Sequence, residues 1–584
     1  MIDKKTASYV QSLCMGEIEE DILLPYPKMS KGEQETLHQI VESVNALFKP
    51  HERDFREWDV RAEIPPAFID ELKALGLFGL IIPEEHGGTA LGATAYSRTL
   101  QEIAKYDASV AVTLGAHSSI GMRGLLLFGT NEQKARYMPR LATGEMIAAF
   151  CLTEPGSGSD AASIKTTAVK EGDHWVLNGE KLWITNGGIA DFFTVIARTD
   201  HASGGKGQMT AFIVTRDMPG VSSGPHEDKM GIRASNTTTV SFDGVKVPDA
   251  NVLGEVGKGF KIAMKILNSG RTGLGGGAVG AMKALIALST KQAKERVQFG
   301  RPISEFALIK GKVGQMVVDC YTAESVVNMV SGTIDAGYEE YAVEAAISKV
   351  LASEALWRTV DEALQIAGGN GFMREFKYER VLRDARINRI FEGTNDILRL
   401  FIALTGMNSV TSELKELAGS LKGIFNDPIK GFGVFSDYAL RRARLTANVQ
   451  RSKGKFQKLH PALADQATTI EDGTRELALA AERTLRRYGK KIIGQQFATT
   501  RLANVLIDLY ALSCVTARVH TAITDHGAER AARQIEIAKA LSNQVRRRIA
   551  ENLEALDYNA DALLKALADD AFEAEKYRWD NLEL

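Results

Sequence analysis

Between Cys151 and Pro248 the chain changes rhythm, and that change limits its fold more than any other feature. The runs TTAVK, HWVLNG, FFTVIART, MTAFIVTR and TTTVSFDGVKV are short and rich in β-branched and aromatic residues, the composition of strands. Asn178-Gly179 and Asp243-Gly244 carry the chemistry of tight hairpin turns, so a compact antiparallel β domain with hairpins at these pairs is expected. On both sides the spacing is helical. FIDELKALGLFGL and YSRTLQEIAKYDASVAVTLGAHSSIGMRGLLLFG precede the sheet, broken by the loop PEEHGGTALG; long helical segments run from Gly259 to Asn268, Ala278 to Arg296 and Tyr341 to Ala367 after it. The expected organisation is an N-terminal helical domain (1–149), a middle β domain (150–250), a helical bundle (251–409) and a C-terminal helical extension (410–584).

The bulk properties set outer limits. A chain of 584 residues is too long for one core and suggests about three or four domains. A formal net charge of −2 gives no general attraction to nucleic acid. Cys14, Cys151, Cys320 and Cys514 stand singly, without metal-ligand or redox-motif spacing, which points to a reducing compartment and no disulfide framework. The opening MIDKKTASYVQ has no apolar core of a secretory signal. No uninterrupted apolar run approaches the ~18–20 residues that cross a bilayer, so the expectation is a chain that does not span one. Residues 441–460 hold seven Lys or Arg and no acid. That run reads either as a solvated linker or helix face, or as a peripheral contact with anionic lipid. The apolar segment IIGQQFATTRLANVLIDLYALSCVTARVHTAI is expected to bury a helix face against the main body.

Chemistry concentrates in Arg389-Ile390-Phe391-Glu392-Gly393-Thr394-Asn395-Asp396. Apolar neighbours raise the pKa of Glu392 by desolvation, while free N–H groups at the helix start that follows favour its charged form. A carboxylate between those pulls suits a general base; as an isolated octapeptide it equally describes an acid near a helix N-terminus. Phe150-Cys151-Leu152-Thr153-Glu154-Pro155-Gly156-Ser157-Gly158-Ser159-Asp160 forms a loop whose N–H groups and hydroxyls can meet phosphate or heterocycle edges. Trp183 beside Thr185, in LWIT, offers a stacking plane and a hydroxyl together. Glu295-Arg296-Val297-Gln298-Phe299 sets a forked cation near an aromatic, Gln365-Ile366-Ala367-Gly368-Gly369 ends a helix, and Asn268-Ser269-Gly270-Arg271 adds another cation. Gly275-Gly276-Gly277-Ala278-Val279-Gly280 matches a dinucleotide fingerprint, but no strand precedes it, so it reads as close helix packing.

In this order the segments resemble the acyl-CoA dehydrogenase family over roughly residues 30–405, and the fourth block resembles the extension of its very-long-chain branch. The resemblance implies a mixed α and β fold: an N-terminal helical domain, a middle antiparallel β domain, a C-terminal four-helix bundle and an extra C-terminal helical domain. It implies FAD-dependent α,β-dehydrogenation of long or very long fatty acyl-CoA thioesters to trans-2-enoyl-CoA, as in fatty acid β-oxidation. Glu392 occupies the base position, with its own backbone N–H polarising the thioester carbonyl. Some relatives place the base at the slot of Gly270, which cannot act. Phe150, Leu152, Thr153, Gly158, Ser159, Trp183, Ile184, Thr185, Thr394 and Asp396 match FAD-binding positions, and Arg296, Phe299, Gln365 and Gly369 match those reaching the FAD of a neighbouring subunit. Ser159, Asn268, Arg271 and Gly393 match the acyl-CoA side, although many relatives are acidic where Asn268 stands. The family further implies a homodimer, electron-transfer flavoprotein as acceptor, and a bacterial cytoplasmic or mitochondrial matrix location, with the basic segment as a candidate peripheral membrane contact. Small residues Gly115, Ala116 and Gly121 are expected to widen the far end of the acyl cavity. An acyl-CoA oxidase and a scaffold protein on the same fold are the competing functions.

Overall fold

The structure, a computed structural model, describes residues 8–199, 208–423, 441–443, 445 and 454–582. It divides into a first unit containing Leu24–Leu398 and a second formed by Ser8–Leu23 with Arg399–Leu584.

The first unit begins with helices around an aromatic core. α1 (Lys31–Phe48) is capped by Ser30, whose hydroxyl accepts from the Glu33 N–H at 3.2 Å. Phe48, Phe55, Trp58 and Phe68 bury ring against ring, with the Trp58 and Phe68 centroids 4.7 Å apart. The next apolar stretch, which reads as one helical run, is several pieces. α2 (Ala93–Tyr106) stops at extended Asp107, whose carboxylate caps α3 (Ala108–Gly115) by accepting from Val110 N–H at 3.0 Å. A π-helical segment, Ala116–Gly121, follows, and the helix Arg123–Phe128 comes after it. π turns inside helices often mark functional sites.

The middle of this unit is an eight-stranded sheet of β1 (Ala148–Cys151), β2 (Thr167–Glu171), β3 (His174–Thr185), β4 (Phe192–Arg198), β5 (Met209–Thr215), β6 (Val221–Ser223), β7 (Thr237–Pro248) and β8 (Val252–Leu253). The order is β6-β7-β3-β2-β4-β5-β8, with β1 beside β4. Most pairs are antiparallel as expected, but β1 runs parallel to β4, and β2 meets β4 in parallel at Thr167 and Arg198. The hairpin expectation for Asn178-Gly179 and Asp243-Gly244 is corrected. Both pairs lie inside the long β3–β7 ladder, where the register shifts between Leu177 and Gly179. Between these pairings β7 spends an extra residue, a β-bulge in which Gly244 takes φ +61° and its N–H donates to Asn178 Oδ1 at 2.8 Å. The turn between β2 and β3 instead uses Gly172, at φ +60°.

Behind the sheet stand α4 (Gly259–Glu295), α5 (Ala307–Asp335), α6 (Ala342–Ala367) and α7 (Tyr378–Arg386), sharing a core that includes Met282, Leu285, Val327, Leu356 and Val360. The Gly275–Gly280 stretch lies within α4. A Cβ on Gly280 would come 2.0 Å from the Gln101 carbonyl and one on Gly276 would come 2.5 Å from Ser97 Oγ. These glycines admit α2, and they are part of a helix contact rather than a nucleotide loop. α8 (Asn395–Gly406) contains the boundary between the units.

In the second unit, α9 (Ala464–Tyr488), α10 (Gln496–His526) and α11 (Ala532–Glu554) pack together. α10 is buried almost throughout from Leu502 to Ala517, packed against α9 and α11. The Tyr9–Cys14 helix joins them: Tyr9 Oη donates to Ser513 Oγ at 3.0 Å, and its ring lies 6.1 Å from that of Tyr510. Residues 444 and 446–453 of the basic run lie outside the described residues. In its described part Arg441 Nε donates to Glu413 at 3.1 Å and Arg442 pairs with Glu482 at 3.2 Å.

Ala108–Phe128, Gly259–Glu295 and Gln496–His526 are long and apolar enough, by length and composition, to cross a membrane. This corrects the reading from uninterrupted runs: the mean hydropathy of a long window stays high across isolated polar residues. Inside the protein, 67%, 56% and 89% of these windows are buried.

Candidate active site

Glu392 lies on the segment joining α7 to α8, and its backbone is the first unusual feature. It adopts φ +58°, followed by Gly393 at φ +90°. Positive φ is uncommon for a residue with a Cβ and persists only where surroundings impose it. The surroundings here are two cations. Arg271 Nε on α4 donates to the Glu392 carbonyl at 3.3 Å, and Lys349 Nζ on α6 donates to the Gly393 carbonyl at 2.8 Å. Thr394 then caps α8, its Oγ1 accepting from Ile397 N–H at 3.2 Å.

The side chain turns inward. Glu392 Oε2 is buried and, among the described residues, has no hydrogen-bond partner. Burial pushes its carboxyl up to about 7, against the pull of Arg271 and Lys349. Opposite it is Gly270: a Cβ there would lie 2.9 Å from Glu392 Oε2 and 2.8 Å from Ile120 Cγ2. Positions 270 and 392 therefore face one point, and of the two only Glu392 carries a side chain. The carboxylate faces Ile120 of the π-helical segment and the bare backbone of α4.

Of the substrate-side residues, Asn268, Arg271 and Gly393 come together around Glu392. Arg271 is buried, its Nη1 donating to Asn268 Oδ1 at 2.7 Å. An amide suffices at position 268 as acceptor for a guanidinium. Gly121, expected to widen the cavity, is instead occupied by packing, since a Cβ there would meet the Ala116 carbonyl and Ala148, both at 2.8 Å. A Cβ on Gly115 would meet nothing within 4 Å beyond its own helix backbone, and Ala116 is buried.

The cofactor-like segments form a second group. Phe150 lies in β1, and Leu152 and Thr153 follow its last residue, Cys151; Leu182 N–H donates to the Thr153 carbonyl at 2.9 Å, joining this loop to β3. Beneath the joint lies a buried ion pair. Lys181 Nζ reaches Glu154 Oε1 at 2.8 Å and the carbonyls of Leu152 and Ile196 at 3.1 and 2.8 Å, while Glu154 also accepts from Thr166 N–H at 3.0 Å. Gly158 and Ser159 are left exposed at the loop surface. Next to Lys181, β3 carries an extra residue before Ile184, and at this bulge Trp183 takes φ +56°. The kink turns the indole outward, 63% exposed, while Ile184 remains buried and Thr185 partly so.

Thr394 and Asp396 flank the start of α8. Arg296, Phe299, Gln365 and Gly369 are not brought to Glu392. Phe299 projects from the β-hairpin of residues 297–302 with 95% of its surface exposed, and Gln365 is 16 residues along α6 from Lys349, roughly 24 Å at the rise of an α-helix. Lys349, Asn395, Glu154 and Lys181 were not singled out from sequence as site residues. The signal for Lys349 was there: one cation in AAISKVLASEA, on a helix whose other residues at that level are buried and apolar or small.

Models of the acyl-CoA dehydrogenase N-terminal, middle and C-terminal domains match residues 34–145, 149–245 and 257–406. With the fold and site above, the chain belongs to the acyl-CoA dehydrogenase family. A fourth model, the ACAD9/ACADV C-terminal domain, matches residues 461–577, which places the chain in the branch carrying that extension. The very long-chain specific mitochondrial acyl-CoA dehydrogenase of Macaca fascicularis is 45% identical over 89% of this chain and 80% of its own length. The crystal structure of an acyl-CoA dehydrogenase complexed with FAD from Bacillus anthracis is 33% identical, covering 96% of this chain and 94% of that one with a TM-score of 0.80. A structure from work on the electron transferring flavoprotein of Acidaminococcus fermentans is 35% identical, covering 65% of this chain and 99% of that one, with a TM-score of 0.62.

Proposed function

We propose that this enzyme uses FAD to oxidise fatty acyl-CoA thioesters to trans-2-enoyl-CoA, with Glu392 as the base. The observation that carries the reading is the buried, unpartnered Oε2 of Glu392, with its carboxyl at about 7 and facing Gly270. A carboxyl titrating near neutrality is ionised often enough to act and basic enough to take a proton from a weak carbon acid. The residues present fit a flavin: an exposed indole on a bulge, a hydroxyl at Thr185 two residues on, and a Gly158-Ser159 loop fixed from below by the Glu154–Lys181 pair. FAD, when bound, supplies the acceptor for the hydride that leaves Cβ. The chain's own groups then do the rest. Glu392 Oε2 takes the α proton, the pair from that C–H bond forms the Cα=Cβ bond, and the Glu392 backbone N–H steadies charge on the thioester oxygen.

Long or very long acyl chains are the proposed substrates, supported by the very long-chain relatives and the open space at Gly115. Phe299, Leu308 and Phe372, at 95%, 82% and 82% exposure, support a homodimer in which Arg296, Phe299, Gln365 and Gly369 reach the partner's flavin. Electron-transfer flavoprotein is the proposed acceptor, and a bacterial cytoplasm or a mitochondrial matrix the proposed location. The test is anaerobic mixing with acyl-CoA. Purified Glu392→Gln should stay yellow and fail to bleach; undiminished bleaching overturns the assignment of the base.

A further inference from the structure

The lysine behind the base carries a role of its own. Lys349 lies mid-way along α6 with none of its surface exposed, among Ala345, Ala346, Val350 and Ala352. A charge placed there is costly unless every contact is used. Its Nζ makes two, to the Gly393 carbonyl and to Asn395 Oδ1, both at 2.8 Å. Asn395 is held in turn: its Nδ2 donates to Ser353 Oγ at 3.0 Å and Glu354 Oε1 at 3.2 Å. The chain from Glu392 to Asn395, with its two consecutive positive φ angles, is thus tied to α6 at both ends of a two-residue span.

We propose that Lys349 is a positioning residue for the dehydrogenation, holding the peptide planes after Glu392 so that its carboxylate and backbone N–H both address the acyl thioester. This rests on Glu392 being the base. A second effect is electrostatic. The charged groups acting on the Glu392 carboxylate are Arg271 from α4 and Lys349 from α6; Lys349, pushed down to about 7 by burial, itself faces Glu392, Arg271, Glu354 from α6 and Arg389 from the segment before Glu392. Lys349 is one of the two that favour ionised Glu392, so its removal makes the base harder to deprotonate. Lys349→Met keeps the length of the side chain on α6 but takes the donor from the Gly393 carbonyl and Asn395 Oδ1, so thermal unfolding and flavin content are measured beside the kinetics.

The test uses the flavin-loaded enzyme and a 3-thia-acyl-CoA. This analogue loses its α proton but has sulfur at the β position and passes no hydride; its anion gives a long-wavelength charge-transfer band against the oxidised flavin. Titrating that band with pH reads proton abstraction apart from turnover. For Lys349→Met we expect a fall in kcat of about 10²-fold, as for a misplaced catalytic group, with KM within about 3-fold of the parent. The midpoint of the band should move up by about one pH unit, the scale of losing one nearby charge. Lys349→Gln, which keeps a donor for Gly393 without the charge, should show the same shift with a smaller loss of kcat. An unmoved midpoint in Lys349→Met overturns the proposal, as does failure of both variants to fold with flavin, which makes the lysine purely structural. Glu392→Gln separates the two readings. A band that persists in it rejects the base; a band that vanishes in it and is unaltered in Lys349→Met rejects only the lysine.

Discussion

Glu392, on the bend between α7 and α8, and Gly270, on α4, meet at one point. At Gly270 the missing side chain is as necessary as the carboxylate opposite, since a methyl group would meet Oε2 at 2.9 Å. Gly270→Ala should therefore separate stability from activity. Alanine is favoured over glycine within a helix by up to ~1 kcal/mol, which offsets part of the crowding, so the melting temperature should change little. Turnover should drop by at least about 10-fold, because the displaced base no longer meets the α carbon. The pH profile follows from the same burial. Below about 7 the carboxyl retains a proton and cannot accept another, so kcat should decline about tenfold per pH unit on the acid side and level off above it. A flat profile from pH 5 to 8 would contradict a base in this environment. Of this position, the carboxylate among apolar neighbours was legible in the sequence. Its left-handed backbone and the Lys349 contact were not; Arg271 was singled out, but not as the partner of the Glu392 carbonyl.

Elements show where local reading fails. The five longer strands, β2, β3, β4, β5 and β7, were recognisable from their residues, whereas the short β1, β6 and β8 were not, and Asn-Gly and Asp-Gly did not make turns. The same ease at positive φ that serves a hairpin also serves a bulge, and only the β3–β7 register distinguishes them. The outward tilt of Trp183 depends on such a bulge and was equally invisible. The loop at residues 152–166 relies on the Glu154–Lys181 pair, which a sequence shows only as one acid and one base among many. Losing one member of a buried pair strands the other. Lys181→Met alone should destabilise by about 3–5 kcal/mol and weaken flavin retention, while Lys181→Met with Glu154→Gln should recover much of that loss. Thermal unfolding and flavin release on dilution would check both; equal losses in single and double variants would mean the pair is not coupled. By contrast, the glycine run in α4 was read correctly, because the absence of a preceding strand is itself a local fact.

Across the whole molecule, the legible part was the succession helix, sheet, helix, helix. What the succession hides is which distant segments share a core. Tyr9 is buried beside Tyr510 and bonded to Ser513, so Tyr9→Ala should cost about 3–5 kcal/mol in the second unit, as for other buried aromatics. Hydrogen exchange in Ile507–Val515 should accelerate while exchange in β3 and β7 stays as it was; acceleration in both would disprove a local effect. At the proposed subunit contact, Phe299→Ala should loosen flavin retention with little change in monomer stability, measured by gel filtration and flavin fluorescence. The placement of Tyr9–Cys14 carries a consequence for biosynthesis. Synthesis delivers these residues some five hundred positions ahead of the α10 residues on which they seat. Until then Tyr9, Val10 and Leu13 are uncovered apolar bait for chaperones, and a bulky fusion attached ahead of them would obstruct the last closure of the second unit rather than the beginning of the first.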